Sequence, residues 1–266
     1  MNFITLMTDF GTRDGYTGVM KGVIYRIAPN AQIADLTHAI SAQNIVEGTL
    51  VWSRSCEFFP AGTVHVGVVD PGVGTKRRPI AARLGDFFYV CPDNGLITLP
   101  LMQARQANAP VEIVHLNQPR YWLPQVSNVF HGRDIFSPVA AHLSIGVPLK
   151  ELGTPIDDPV LLNLPRPQVT DSGWRGEVIT VDHFGNLGTN IMGEQLDEQE
   201  SLRVRISGRE IQGISRTFGD HIPGDLVAVI DSDGNLAVAI VNSNAARELG
   251  VQVGEPVEVI KKPIRN

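Results

Sequence analysis

The sequence has 266 residues, and its 43% hydrophobic and 19% charged content is typical of a folded globular protein with a sizeable core. The formal net charge of -6 gives no basic surplus, which argues against nucleic acid as a partner. No apolar run is long enough to cross a membrane, and the chain enters a strand pattern at once, without a secretory leader. Because the only two cysteines, Cys56 and Cys91, lie in apolar surroundings, we expect buried free thiols and a cytoplasmic location.

Strand and helix patterns alternate over the first half of the chain. Residues 3–8 have the pattern of an apolar strand, and apolar residues at helical spacing then predict a helix over about 16–27. A second helix is expected from about Ala42, with Ser41 as its N-cap, to a point before Pro60.

Further strand patterns fall at residues 64–69, 80–84 and 87–91. A turn at 92–95 is expected to close the last two of these strands as a pair. Ser137 is a good N-cap and Pro138 suits the first helical position, so another helix is expected to begin there. This alternation predicts an α/β fold class, with a largely parallel sheet, for an N-terminal domain over residues 1–160.

The second half of the chain has a different character. Residues 157–173 contain three prolines and no clear period, which predicts a linker. Short strand patterns then fall at residues 176–181, 202–206, 226–230, 236–241 and 256–260. Asp233-Gly234 between two of these strands is a tight-hairpin signal. We therefore expect a smaller all-β domain, a barrel or a sandwich, over residues 174–266.

An aspartate and a glycine turn follow three of the apolar strand patterns, at Asp9, Asp70 and Asp182. The clearest case is the segment 64–77, in which a β-branched run ends in Asp70 and is followed by Pro-Gly-Val-Gly and a basic pair. Ligands bind at the carboxyl ends of strands in open α/β sheets, so the three aspartates indicate a polar site built from strand ends. The alternative is ordinary turn chemistry.

Two of these turns carry residues suited to a nucleoside. Asp9 could accept hydrogen bonds from a vicinal diol, whereas the alternative is that it only ends a strand while Asp14 or Thr12 caps the next helix. In the turn after Asp182, an asparagine amide could bond a nucleobase edge while a phenylalanine stacks on its face. The alternative for that turn is an Asx-type turn between strands.

The segment 130–134 places His131, Arg133 and Asp134 just before a predicted helix. A histidine can accept a proton near neutral pH, whereas the alternative is a loop histidine beside a local ion pair. We favour an Arg133–Asp134 pair that only fixes the loop. The Gly-rich segment 72–76 matches neither a Walker motif nor a dinucleotide fingerprint, and no histidine spacing indicates a metal site.

Five segments in the same order resemble the S-adenosyl-L-methionine (SAM) hydrolases, also called SAM hydroxide adenosyltransferases, which are relatives of fluorinase and chlorinase. They are TDFGTRDGYTGVMKGVI (8–24), VVDPGVGTKRRPI (68–80), PDNGL (92–96), FHGRDIFSPVAAHL (130–143) and DHFGNLGTNI (182–191). The resemblance implies an N-terminal α/β domain, a C-terminal β-barrel domain and a homotrimer with SAM bound at subunit interfaces. It implies no separate cofactor, because SAM is the substrate, and no metal.

The resemblance also assigns roles to residues. Asp70, Arg77 and His131 match the set that positions and activates water in the family. The substrate-binding positions are Asp9 for the ribose hydroxyls, Asp14 near the methionine amine, Asp182 and Asn186 for the methionine head group and adenine, Phe184 and Phe218 as aromatic walls, Ser232 for the methionine carboxylate, and Asn242 in the segment 241–244. Asp233 departs from the pattern, since fluorinase has an arginine there.

The resemblance therefore implies hydrolysis of SAM to adenosine and L-methionine. The related halogenases carry tyrosine in place of Asp70, and a carboxylate 4 Å from a halide would cost about 4 kcal/mol at an effective dielectric near 20. We accordingly expect water, not a halide, as the nucleophile. A SAM-binding module without turnover and a metal-dependent hydrolase remain the alternatives.

Overall fold

The computed structural model of the chain describes residues 2–196 and 202–261. The chain divides into two compact units, Met1–Asn163 and Leu164–Asn266, which are described separately below. Residue 1 of the predicted first domain, and residues 197–201 and 262–266 of the predicted second, lie outside the described part. The predicted fold class is confirmed: an α/β unit with a mixed sheet is followed by an all-β unit resembling a barrel.

The first unit contains a seven-stranded sheet and four α-helices. The strands are β1 (Phe3–Thr8), β2 (Gln32–Thr37), β3 (Val64–Val68), β4 (Pro79–Leu84), β5 (Phe87–Pro92), β6 (Val111–Leu116) and β7 (Gly153–Pro155), and the helices are α1 (Tyr16–Ile27), α2 (Ile45–Ser55), α3 (Thr98–Gln106) and α4 (Ser137–Ser144). The strand order is β2-β1-β3-β5-β4-β6-β7, and β4 and β7 run opposite to the other five strands.

Two hydrophobic cores cover the two faces of this sheet. Residues of α1 and α4 pack on one face, and residues of α2 and α3 pack on the other. Strand β3 is buried at all five positions, because it is covered on both sides, as its continuous apolar pattern predicts. Burial of Cys56 and Cys91 is also confirmed, and it raises the pKa of the Cys56 thiol to about 12.

Three local predictions in this unit are wrong. Helix α2 begins after Asn44, not Ser41, because the Asn44 side chain accepts the Glu47 N–H. Residues 92–95 do not close the β4–β5 pair: the chain reverses at Gly85 and Asp86, and 92–95 lead from β5 towards α3. Ser137 does not cap α4, since a π-helical turn (Gly132–Phe136) precedes it and its hydroxyl donates to the Gly132 carbonyl at 2.7 Å.

The second unit is a single antiparallel sheet that curves on itself. Its elements are β8 (Gln168–Thr170), β9 (Gly173–Val181), β10 (Leu187–Met192), β11 (Leu202–Ile206), β12 (Arg209–Gln212), β13 (Leu226–Ile230), β14 (Asn235–Ile240), α5 (Ala245–Leu249) and β15 (Pro256–Lys261). The order is β12-β11-β15-β9-β10-β14-β13, with β8 beside β9. A bridge between Ser215 and Val229 brings the chain after β12 against β13, which nearly closes the barrel. The predicted Asp233-Gly234 turn joins β13 and β14.

Candidate active site

Asp70 and Arg77 lie at the two ends of one loop, between β3 and β4. The Arg77 Nε donates to both Asp70 carboxylate oxygens at 3.0 Å, and Nη2 donates to Oδ2 at 2.5 Å. The two side chains are only 4% and 8% exposed, respectively. A buried charge requires a partner, and charge-assisted hydrogen bonds give each ion of this pair one, whereas Arg77 Nη1 is buried and has no hydrogen-bond partner among the described residues.

His131 completes this network from a second loop. The Arg77 Nη2 lies 2.7 Å from His131 Nδ1. A guanidinium can only donate, so Nδ1 is the acceptor and carries no proton, which assigns the hydrogen of the neutral ring to Nε2. Burial, followed by the nearby Arg77 charge, lowers the pKa of His131 below its ordinary value. The set therefore holds an ionised carboxylate, a guanidinium and a neutral imidazole.

Local packing holds the two loops together. Gly74 has a φ of +75°, and a Cβ there would lie 2.2 Å from the carbonyl oxygen of Asn128, so only glycine allows this approach. The fully buried Asp134 pairs with Arg133 at 2.6 Å and accepts the Ser127 N–H at 2.8 Å. As we expected, Arg133 and Asp134 pair with each other, and they do so in the π-helical turn that directly follows His131.

Asp9 and Asp70 follow the carboxyl ends of two neighbouring parallel strands, because β1 pairs with β3 and Thr8 is opposite Val68. Two of the three predicted strand-end aspartates thus share one sheet edge, whereas Asp182 belongs to the other sheet. The Asp9 Oδ2 accepts the N–H of Gln43, a non-glycine residue with a φ of +64°.

Asp14 is exposed in the turn before α1. The N-cap of α1 is Gly15, and no side chain caps it, so the capping alternative for Asp14 and Thr12 is wrong. Asp14 therefore has no structural task at this helix end.

In the second unit, the turn between β9 and β10 forms around Asp182. Its Oδ1 accepts the backbone N–H groups of Phe184 and Asn186 at 2.9 and 2.8 Å, and its Oδ2 accepts the Asn186 side-chain amide at 2.7 Å. The Asx-type turn is therefore present. It orients Asn186 and leaves the Phe184 ring 72% exposed, available to a ligand or another chain.

The remaining predicted binding residues of this unit are spread over three turns. Asn242 lies two residues after β14, in the connection to α5, and Ala246 of that helix donates its N–H to the carbonyl of Gly185 in the Asp182 turn at 3.0 Å. Ser232 lies in the β13–β14 turn, at the opposite end of β14. Phe218 begins a short 3-10 turn and is 44% exposed.

The sequence reasoning missed several polar residues around the Asp70–Arg77 loop. Asn94 donates to the Val69 carbonyl at 2.8 Å, and Asp93 pairs with Arg78 at 2.7 Å. The motif PDNGL contains both residues, but its composition is typical of a turn and does not indicate the contacts of their side chains. Gln43 carries no sequence signal, because its contribution is a backbone N–H.

Within residues 2–196 and 202–261, no three His, Cys, Asp or Glu side chains are grouped so that they could hold a metal ion. A search of the helices in the same ranges finds none with the length and apolar character of a membrane span.

Comparison with known proteins gives matches over nearly the whole chain. Models of the SAM hydroxide adenosyltransferase N-terminal and C-terminal domains match residues 4–153 and 176–258. A protein of Salinispora tropica named (R)-S-adenosyl-L-methionine hydrolase is 40% identical over 261 residues, covering 97% of each chain. A Thermus thermophilus protein of the same name is 36% identical, covering 98% of this chain and all of its own length. The crystal structure of an uncharacterized conserved protein from Thermotoga maritima superposes with a TM-score of 0.87 at 36% identity, over 96% of this chain and 99% of that one.

Proposed function

Because this chain belongs to the SAM hydroxide adenosyltransferase family, we propose that it hydrolyses S-adenosyl-L-methionine to adenosine and L-methionine. The observation that carries the proposal is the buried Asp70–Arg77–His131 network, which a protein that only binds SAM would not need. The reaction is displacement at the ribose 5′-carbon. The water oxygen forms the new bond to C5′, the C5′–S bond breaks, and its electron pair returns to sulfur.

The leaving group in this reaction is a neutral thioether, so no general acid is needed there. The protein must hold one water in line with the C5′–S bond and accept its proton. Asp70 is the proton acceptor in our proposal, because His131 Nδ1 is occupied by Arg77 and its Nε2 carries the hydrogen. His131 instead donates from Nε2 to orient the water oxygen. The proton later passes from Asp70 to solvent.

Water remains the proposed nucleophile, but charge repulsion is not the main reason. The Arg77 guanidinium lies within 3.0 Å of the Asp70 carboxylate, so the pair is neutral as a whole and most of the expected repulsion of a halide cancels. A halide has no proton to donate to the spare lone pairs of Asp70, whereas water does. Hydrogen bonding therefore favours water at this position.

The remaining assignments follow the family resemblance and are part of the proposal. In unit 1, Asp9 would hold the ribose hydroxyls and Asp14 the methionine amine. In unit 2, the substrate contacts would come from Asp182, Phe184, Asn186, Phe218, Ser232 and Asn242. The exposed Phe184 ring suits adenine stacking or an interface, in line with a homotrimer whose sites lie between subunits. We further propose a cytoplasmic enzyme without a separate cofactor.

The decisive experiment is incubation of the purified protein with SAM, with and without a chelator, followed by chromatography of the products. Equal amounts of adenosine and methionine, unaffected by the chelator, would support the proposal. Intact SAM, together with calorimetric evidence of binding, would instead favour a non-catalytic SAM-binding module. Loss of turnover with chelator would favour a metal-dependent hydrolase.

A further inference from the structure

The Asp70–Arg77 loop has two ends, and adjacent residues of one turn hold both of them. The loop leaves the sheet at Val69 and returns to it at Arg78. The Asn94 side chain donates a hydrogen bond to the Val69 carbonyl, and the Asp93 carboxylate accepts one from the Arg78 side chain. We propose that Asn94, supported by Asp93, is a positioning residue that sets the geometry of Asp70 against Arg77.

The Asn94 side chain holds the Val69 carbonyl at a point beyond the hydrogen bonds between β3 and β5. β3 pairs with β5 only as far as Val66 opposite Val90, so the Val69 carbonyl lies beyond the ladder. The Asn94 Nδ2 donates to that carbonyl at 2.8 Å, while its Oδ1 accepts the Leu96 N–H at 3.2 Å. Both ends of the amide are therefore fixed. Because Val69 and Asp70 share a peptide plane, this bond also fixes the direction in which Asp70 leaves the strand.

The Asp93 contacts hold the other end of the loop. Its backbone N–H donates to the Arg78 carbonyl at 2.9 Å, and its carboxylate, 1% exposed, accepts the Arg78 guanidinium at 2.7 Å. The other carboxylate oxygen accepts the Val160 N–H at 2.7 Å. Arg77 is the residue before Arg78, so the ion pair fixes the backbone from which the Arg77 side chain extends.

The two contacts together constrain the Asp70–Arg77 distance. Between them the loop has internal bonds of its own: Val73 N–H to the Asp70 carbonyl at 3.2 Å, Thr75 N–H to the Gly72 carbonyl at 3.1 Å, and the Thr75 hydroxyl to the same Gly72 carbonyl at 2.7 Å. These bonds shape the middle of the loop, whereas the Asn94 and Asp93 contacts attach its two ends to the rest of the unit. A displacement of about 1 Å at a reacting group can cost on the order of a hundredfold in rate. This inference rests on the proposed hydrolase function, because it assigns Asn94 a part in orienting the residue that accepts the proton.

The test compares Asn94→Ala and Asn94→Asp with the wild-type protein. Asn94→Asp keeps the shape but places an acceptor against the Val69 carbonyl. Asn117→Ala is the matched control, since Asn117 makes a side-chain bond of similar length, 2.9 Å to Thr154, at an exposed site away from this loop. We expect a ten- to hundredfold lower kcat with little change in KM for both Asn94 variants, and no change for Asn117→Ala.

Hydrogen exchange supplies a readout that does not need turnover. In the Asn94 variants, amides of residues 70–77 should exchange faster, while those of β1 and β3 stay protected. Unchanged kcat, or a fall in kcat with faster exchange across the whole sheet, would overturn the positioning role. If the wild-type protein leaves SAM intact, the proposed function fails, and the exchange pattern alone then decides the role of Asn94.

Discussion

The side chains of Asp70 and Arg77, in the first unit, are 4% and 8% exposed and are bonded to one another, whereas Phe184, in the second unit, is 72% exposed. In the first unit, the sheet positions residues that are distant in sequence. In the second, the Asp182 turn uses its own backbone to orient its side chains. The difference teaches that the first unit holds desolvated, fixed charged groups of the kind that catalysis needs, whereas the second unit leaves an aromatic ring accessible for contact.

The largest effect should come from removing Asp70, the proposed proton acceptor in the first unit. Asp70→Asn keeps the shape and an acceptor oxygen for Arg77 but loses the charge, so we expect kcat to fall by about a hundred- to ten-thousandfold. SAM affinity should change little, because the substitution affects a group used in the transition state. Adenosine formation and calorimetric SAM titration measure the two effects. A variant with unimpaired turnover would remove Asp70 from the mechanism.

Much of this fold could be predicted from the sequence because its signals are local. The bounds of α1 and the apolar run of β3 follow from periodicity alone. The predicted start of α2 was wrong because Ser41 and Asn44 are both good N-cap residues. Only Glu47, three residues after Asn44, distinguishes Asn44 as the cap. Half-buried β2 was missed because its pattern is weakly apolar.

The candidate site could be predicted only in part, because its contacts are not local. Arg77 and His131 are 54 residues apart, and no spacing rule joins them; their common role came from the family resemblance. Asn94 and Val69 are 25 residues apart, and the same segment also has the composition of a simple turn. Local turn chemistry was sufficient to predict the turn that contains Asp182, Phe184 and Asn186, because its hydrogen bonds span only two to four residues.

A smaller effect should follow from Phe184→Ala in the second unit. If Phe184 stacks on adenine, its loss should raise KM for SAM about tenfold and leave kcat nearly unchanged. The free energy of unfolding of Phe184→Ala should stay close to that of the wild type, because the ring is 72% exposed. Phe58, which is 79% exposed in the first unit, provides the control variant Phe58→Ala, for which steady-state kinetics should match the wild type. Equal KM values in all three proteins would contradict the recognition role.

The last effect concerns pH, and it should appear in the stability of the two units and not in the rate of the reaction. His65 on β3 is fully buried among the rings of Phe59, Phe87 and Tyr89, and its Nδ1 lies 2.8 Å from the Thr5 hydroxyl. Burial lowers the pKa of His65 to about 3, whereas in the unfolded chain it is about 6.5.

The folded state therefore keeps His65 neutral where the unfolded chain binds a proton. Its contribution to stability is complete above pH 6.5 and declines by up to about 1.4 kcal/mol per pH unit as the pH falls towards 3. Hydrogen exchange between pH 6.5 and 4, corrected for intrinsic rates, should show the first unit losing protection before the second, in which His183 is exposed and the His221 side chain is 31% exposed. His65→Gln, which cannot titrate, should reduce this difference. Equal acid sensitivity of the wild type and the variant would show that other buried groups of the first unit control its response to acid.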